Sequence, residues 1–338
     1  MIVLIKTWEQ LEQEQPIVLR MVRNSLMKGR LAHAYLFEGM RGTGKRDVSQ
    51  ILTKSILCER AIEGYQPCEE CSNCKRINNN NHPDVHIVEP DGLSIKKNQI
   101  QSLQEEFSKT GVESRQKIYV IIHADKMTTN AANSLLKFLE EPHADTTAIL
   151  LTEQIQQILP TILSRCQVLS FTPLSPLKMQ EQLKADGMKA SDAPIIAQIT
   201  NDYDEAFMLS SDEWFVQAQK IVVKLYMTLK GNPLEALVAL QREWFVHFKE
   251  KDQYDRGLDL LLLLFKDLLY IQLGKDEQIV FINERSQLEE LALKTSSQML
   301  TEQMTSIFEA KRKLQGNMNP QLLMEQLVLK LQEGSSVV

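Results

Sequence analysis

No apolar run in these 338 residues approaches the eighteen or so needed to span a bilayer. The opening MIVLIKTWEQ carries four consecutive apolar residues after Met1, too few for a secretory signal, so a cytoplasmic location is expected. Positive charge is scarce too. Against 44 Asp and Glu stand 38 Lys and Arg, a net charge of -6 that reverses the footprint of a protein holding DNA alone. Work on nucleic acid would need partners to supply the charge. Cysteine is sparse at five, and without a signal peptide the thiols read as metal ligands or buried groups rather than disulfides. There is no internal repeat, and no low-complexity tract beyond Asn78–Asn81.

What remains, 43% hydrophobic and 24% charged, is enough for two or three globular domains with their own cores. From Leu31 to Phe171 short apolar runs alternate with longer helical stretches, the signature of a parallel sheet wrapped by helices. Strands are predicted at Ala34–Glu38, Val85–Val88, Ile118–Ile122, Ala148–Thr152 and Val168–Phe171. Helices are predicted at Gly44–Cys58, Lys97–Lys109 and Thr128–Leu139, the last stopped by Pro142. Pro173-Leu174-Ser175-Pro176 breaks this alternation, and beyond it the pattern is helical only. Ser175–Asp186 and a short set to about Ser211 precede a long remainder in which Leu258–Leu273 is nearly apolar all round and therefore buried. In the last helix Asn319 can cap, Pro320 suits the first turn, and Leu323, Leu327 and Leu331 share a face. The expected division is an α/β domain over 1–172 with an insertion at 58–74, then helical domains over 173–210 and 211–338.

Directly after the first predicted strand comes Gly39-Met40-Arg41-Gly42-Thr43-Gly44-Lys45-Arg46. In a phosphate loop the glycines let backbone N–H groups surround phosphates, the lysine reaches the β/γ oxygens, and a following hydroxyl coordinates Mg²⁺. Gly39, Gly42, Gly44 and Lys45 meet the first two demands; the plainer alternative is a Gly-rich strand-to-helix turn. Arg46 fails the third, since a guanidinium has no lone pair and repels a divalent cation. The acidic residue expected to end a neighbouring strand is also displaced, because the nearest acid after Lys117–Ile122 is Asp125, which equally suits a turn or helix cap.

Cys68, Cys71 and Cys74 follow one another at CxxCxxC spacing, and Cys58 ends the helix that starts in the phosphate loop. Four thiolates so arranged suit a tetrahedral structural Zn²⁺, with an iron–sulfur cluster or redox thiols as rival readings. Cys166 stands apart as a buried thiol.

Taken in order, the GxxxxGK loop, the four-cysteine insertion, Asn133-Ser134-Leu135-Leu136-Lys137-Phe138-Leu139-Glu140-Glu141-Pro142 and Ser164-Arg165-Cys166 resemble the clamp-loader branch of the AAA+ ATPases. His33-Ala34-Tyr35-Leu36-Phe37 and His82-Pro83-Asp84 fit the same branch, so the resemblance covers roughly residues 10 to 172. Alignment without gaps from the Leu-Glu-Glu-Pro helix puts Ile122 where active relatives carry the metal-binding Asp, and His123 where they carry the catalytic Glu.

The resemblance therefore implies a non-hydrolysing member of a pentameric ring, with ATP binding doubtful and hydrolysis carried by tau or gamma subunits. It further implies an AAA+ core, a small helical lid and a helical collar that joins other subunits, delta among them. The assembled machine places a sliding clamp on primer–template DNA. Arg165 would then face the ATP site of an adjacent subunit as a finger in trans; otherwise it is an arginine paired with a surface carboxylate. Two other readings stay open: an active ATPase using a displaced acid such as Asp125, and a zinc-dependent nucleic-acid-binding module. The acidic balance and the lack of interleaved aromatic and basic residues around Cys68–Cys74 disfavour the second.

Overall fold

A computed structural model describes residues 6–108, 116–141, 145–316 and 318–333. Lys109 and Pro142, which figured in the predicted helix ends, lie outside these residues, as do the first five.

The chain divides into two compact units, the first ending at Leu174 and the second starting at Ser175. The first is built on five strands: β1 (Ala34–Glu38), β2 (Val85–Val88), β3 (Lys117–Ile121), β4 (Thr146–Thr152) and β5 (Gln167–Ser170). They form one wholly parallel sheet in the order β2-β3-β4-β1-β5. This is the α/β core the sequence pattern and the AAA+ resemblance imply. The boundaries of β3 and β4 differ from expectation because pairing recruits polar ends: Lys117 sits opposite Thr146, and Ile118 opposite Thr147.

Both faces of the sheet are covered, which is why its strands read as continuous apolar runs rather than alternating ones. Tyr35, Phe37, Ile118, Val120, Ile149, Leu151 and Leu169 point to one side. There they meet α1 (Trp8–Glu14), α2 (Pro16–Met27) and α3 (Lys45–Leu57) through Leu11, Leu19, Val22, Ile51 and Leu52. Ala34, Leu36, Tyr119, Ile121, Ala148 and Leu150 point to the other side. The short α4 (Ser72–Asn78) belongs to the cysteine insertion, and α5 (Lys97–Ser108) and α6 (Thr129–Glu140) cover the second face with Ile100, Leu103, Leu135 and Leu139. Local signals set the ends: Thr7 and Gln10 form a reciprocal capping box on α1, and the Thr128 hydroxyl accepts the Ala131 N–H at the start of α6. A last short helix, α7 (Pro160–Leu163), leads into β5.

In the second unit the described residues form helices and no strand. The helix Lys251–Gln272 runs through its core, with Leu258, Leu260, Leu261, Leu264, Phe265 and Leu268 fully buried, while Leu273 falls beyond its end and is half exposed. Leu323, Leu327 and Leu331 of Pro320–Glu333 are buried in the same core. Asn319 caps that helix, its side-chain oxygen accepting the Gln321 and Leu322 N–H groups at 2.9 and 3.2 Å. No described helix is long and apolar enough to cross a membrane.

Candidate phosphate, metal and arginine sites

In this sheet β1 lies between β4 and β5 although its helix leads on to β2 at the far edge. Such a reversal opens a crevice at the carboxyl ends of the strands, where α/β proteins bind ligands. Three segments converge there: the glycine loop after β1, His123–Asp125 after β3, and Thr152–Glu153 after β4.

The loop has the backbone of a phosphate cradle. Gly39 has φ 153° and an added Cβ would lie 2.6 Å from the Phe171 carbonyl oxygen, while Gly44 at φ 78° starts α3 in the left-handed region. Gln15, buried between α1 and α2, braces it: its amide nitrogen donates to the carbonyls of Thr43 at 3.0 Å and Thr172 at 2.6 Å, and its oxygen accepts the Thr172 N–H at 3.3 Å.

Lys45 is 9% exposed and folds back onto the loop, donating to the carbonyls of Gly39 at 2.6 Å and Met40 at 2.7 Å. Burial lowers its pKa, and the charges of Glu153 and Asp125 partly offset that. Arg46 leaves the loop altogether and pairs with Glu89 after β2 at 3.1 Å. Ile122 is buried and donates its N–H to Val88. His123 stands in the left-handed region at φ 57°, with Nδ1 3.8 Å from Glu153 Oε1. Asp125 occupies a short turn and its Oδ1 accepts from the Thr152 hydroxyl at 2.8 Å and the Glu153 N–H at 3.2 Å. The acid thus fixes the end of β4, as the turn reading of Asp125 expects.

Cys58, Cys68, Cys71 and Cys74 come together with their sulfurs all within 4.8 Å of one another, two of the residues buried. Cys58 ends α3 and Cys71 caps α4. The sulfurs of Cys58, Cys68 and Cys71 accept the N–H groups of Cys68, Cys71 and Cys74 at 3.3, 3.3 and 3.5 Å. Backbone donation, led by Glu70, lowers the Cys68 thiol to about 7, whereas burial raises those of Cys58 and Cys74. Four soft donors at this separation fit a tetrahedral ion with metal–sulfur distances near ~2.3 Å after a small contraction. The pocket is anchored to α3 by Lys54, whose side chain is 1% exposed and whose ammonium bonds Glu69 Oε1 at 2.5 Å. Cys166 lies on the opposite face of the sheet, where burial pushes its thiol up to about 12.

Arg165 follows α7 at the start of β5. Its Nη1 donates to the Thr161 carbonyl at 2.9 Å and the Ser164 hydroxyl at 3.2 Å, and its Nη2 to Glu140 Oε1 at 2.8 Å. The side chain remains 34% exposed. In the isolated chain, then, Arg165 is paired with a surface carboxylate, and Glu140 is a partner the sequence did not indicate. Glu153, Gln15 and the Lys54–Glu69 pair were missed as well. Glu153 becomes legible once β4 is known to lie beside β1, since it directly follows that strand.

A glycine cradle with its lysine at the carboxyl edge of a five-stranded parallel sheet defines a protein of P-loop fold. Residues 14–175 match the family described as DNA polymerase III, delta subunit, and residues 237–333 match its C-terminal counterpart. The chain is 48% identical to DNA polymerase III subunit delta' of Bacillus subtilis over 97% of its own length and 99% of that protein. It belongs to the delta' family of DNA polymerase III subunits. A second delta' subunit, from Pseudomonas aeruginosa, is 38% identical over 40% of this chain and 42% of its own. DNA polymerase III subunit tau of Bacillus subtilis is 35% identical over 46% of this chain and 28% of its own.

Proposed function

We propose that this chain is a clamp-loader subunit that does not hydrolyse ATP itself. It joins tau or gamma and delta subunits in a cytoplasmic complex, helps place the sliding clamp on primer–template DNA, and presents Arg165 to the ATP site of a neighbour. The observation that carries this reading is a preserved cradle beside lost metal chemistry. Gly39, Gly42, Gly44 and Lys45 keep the loop, yet Arg46 turns to Glu89 and Ile122 offers no side-chain oxygen. His123 stands where a carboxylate would polarise water. Asp125 is engaged by Thr152 and Glu153, which weighs against an active ATPase that recruits the displaced acid. Nucleotide binding, if retained by the cradle, would be weak and nearly insensitive to Mg²⁺.

Arg165 supports the second half of the reading, because its guanidinium is part-exposed and, of the Thr161, Ser164 and Glu140 groups it meets, Glu140 alone is charged. Charge developing on a γ-phosphate makes such a cation worth about 10³–10⁵ in rate. The four cysteines would hold a structural zinc, closed to substrate, that folds an insertion too small for its own core. Residues 173–210 serve as the lid and 211–338 as the collar, whose outward Phe308, Leu322 and Leu329 are available for subunit contact. ATP turnover by the purified chain tests the reading: none above background is expected, and turnover abolished by Lys45→Ala would overturn it.

A further inference from the structure

Glu140 ends α6 and is followed by Glu141. Carboxylates are disfavoured there, because the carbonyl end of a helix carries partial negative charge and favours cations. Helix stability therefore gives no account of Glu140; its contact does. At 2.8 Å from Arg165 Nη2, it is the acidic partner of that guanidinium, and it approaches with one oxygen only. The other two partners are neutral: the Thr161 carbonyl and the Ser164 hydroxyl hold Nη1. Position and charge are thus handled separately. The neutral pair aims the guanidinium from within its own turn, while the carboxylate cancels its charge from across the fold.

We propose that Glu140 is a charge latch on Arg165. It neutralises the guanidinium in the free subunit and is displaced when a phosphate oxygen of a neighbour's nucleotide takes its place. The pair suits an exchange of partners. With Arg165 34% and Glu140 49% exposed, the bond is screened by water and salt and breaks readily. A monodentate contact also leaves guanidinium N–H groups to meet the incoming anion before the carboxylate departs. Assembly with an empty neighbour gains nothing from opening the latch, whereas a nucleotide-loaded neighbour does. The latch makes the response of this interface depend on nucleotide. Glu140 acts only through the charge of Arg165 and touches no nucleotide itself, and the inference rests on the reading of Arg165 as a finger in trans.

Glu140→Gln keeps the shape and the hydrogen-bond acceptor while removing the charge, at a half-exposed position where folding is not at risk. In the reconstituted complex with an active ATPase neighbour, kcat/KM for ATP should rise about two- to five-fold at low salt, the range expected from one exposed ion pair. The gain should shrink as ionic strength increases. Glu140→Gln combined with Arg165→Ala should behave as Arg165→Ala alone. If Arg165→Ala lowers the rate but Glu140→Gln leaves it unchanged or lowers it, the latch is wrong and the finger stands. If Arg165→Ala changes nothing, the finger reading itself fails and the latch falls with it. A gain that persists in the double variant, or that ignores salt, also overturns the proposal.

Discussion

Lys54 and Glu69 join two parts of the protein that sequence places fifteen residues apart: the ammonium lies buried in α3, and the carboxylate reaches it at 2.5 Å from the cysteine loop. Glu69 also accepts from Asn78 at 3.1 Å, so one side chain ties the loop to α3 and α4 together. Removing one partner of a buried pair leaves an uncompensated charge in the interior. Glu69→Gln, which strands the buried ammonium, should cost about 3 kcal/mol, the low end for such a loss because Glu69 itself is partly hydrated. Lys54→Met should cost much less, since Glu69 can then turn to water. Chemical denaturation of both variants checks the order; equal costs would show that the pair contributes little.

The cysteine cluster makes a metal prediction. Purified protein should carry one zinc per chain, bound by Cys58, Cys68, Cys71 and Cys74. Cys71→Ser should release it and loosen the insertion while β1–β5 and their helices stay folded, because this core packs mainly through α1, α2 and α3, with Tyr65 and Ile77 joining it from the insertion. Metal analysis returning iron, or no metal under reducing conditions, would sink the assignment.

Asp267 sets a pH dependence in the second unit. Its buried carboxylate accepts the Val280 N–H at 3.0 Å and the Phe281 N–H at 2.8 Å. Burial raises its pKa to about 6 from 3.8, more than these donors and Lys266 lower it. The folded chain thus holds a proton that the unfolded chain has released. That stability is complete below the unfolded value and is lost as pH rises through about 6. Between about pH 4 and about pH 7 the wild type should lose on the order of 2–3 kcal/mol relative to Asp267→Asn, which keeps an acceptor without the charge. Parallel stability curves for the two proteins over that range would contradict this origin.

How legible the molecule was depends on the kind of force involved. The sheet could be read because strands buried on both faces leave apolar runs, as at Ala34–Glu38, and because prolines on either side frame the half-buried edge strand Val85–Val88; predicted and observed limits coincide at both. The ends of β3 and β4 could not, since Lys117 and Thr146 join the ladder through partners distant in sequence. The cysteine spacing predicted a cluster because a tetrahedral ion dictates short gaps. Interior charge was opaque. Lys54 sits on the inner side of an otherwise ordinary helix, and Asp267 interrupts a leucine run that seemed to need no polar partner. Glu140 as partner of Arg165 was likewise invisible until α6 and the turn before β5 were placed side by side.

The central claim is that this subunit acts on ATP only through its neighbour, and steady-state hydrolysis by the reconstituted complex carrying either Lys45→Ala or Arg165→Ala in this chain tests it most directly. Lys45→Ala should leave clamp- and DNA-stimulated hydrolysis at the unmutated rate, because this cradle turns nothing over. Arg165→Ala should lower it sharply while assembly and zinc content stay intact. A complex slowed by Lys45→Ala and indifferent to Arg165→Ala would contradict the account.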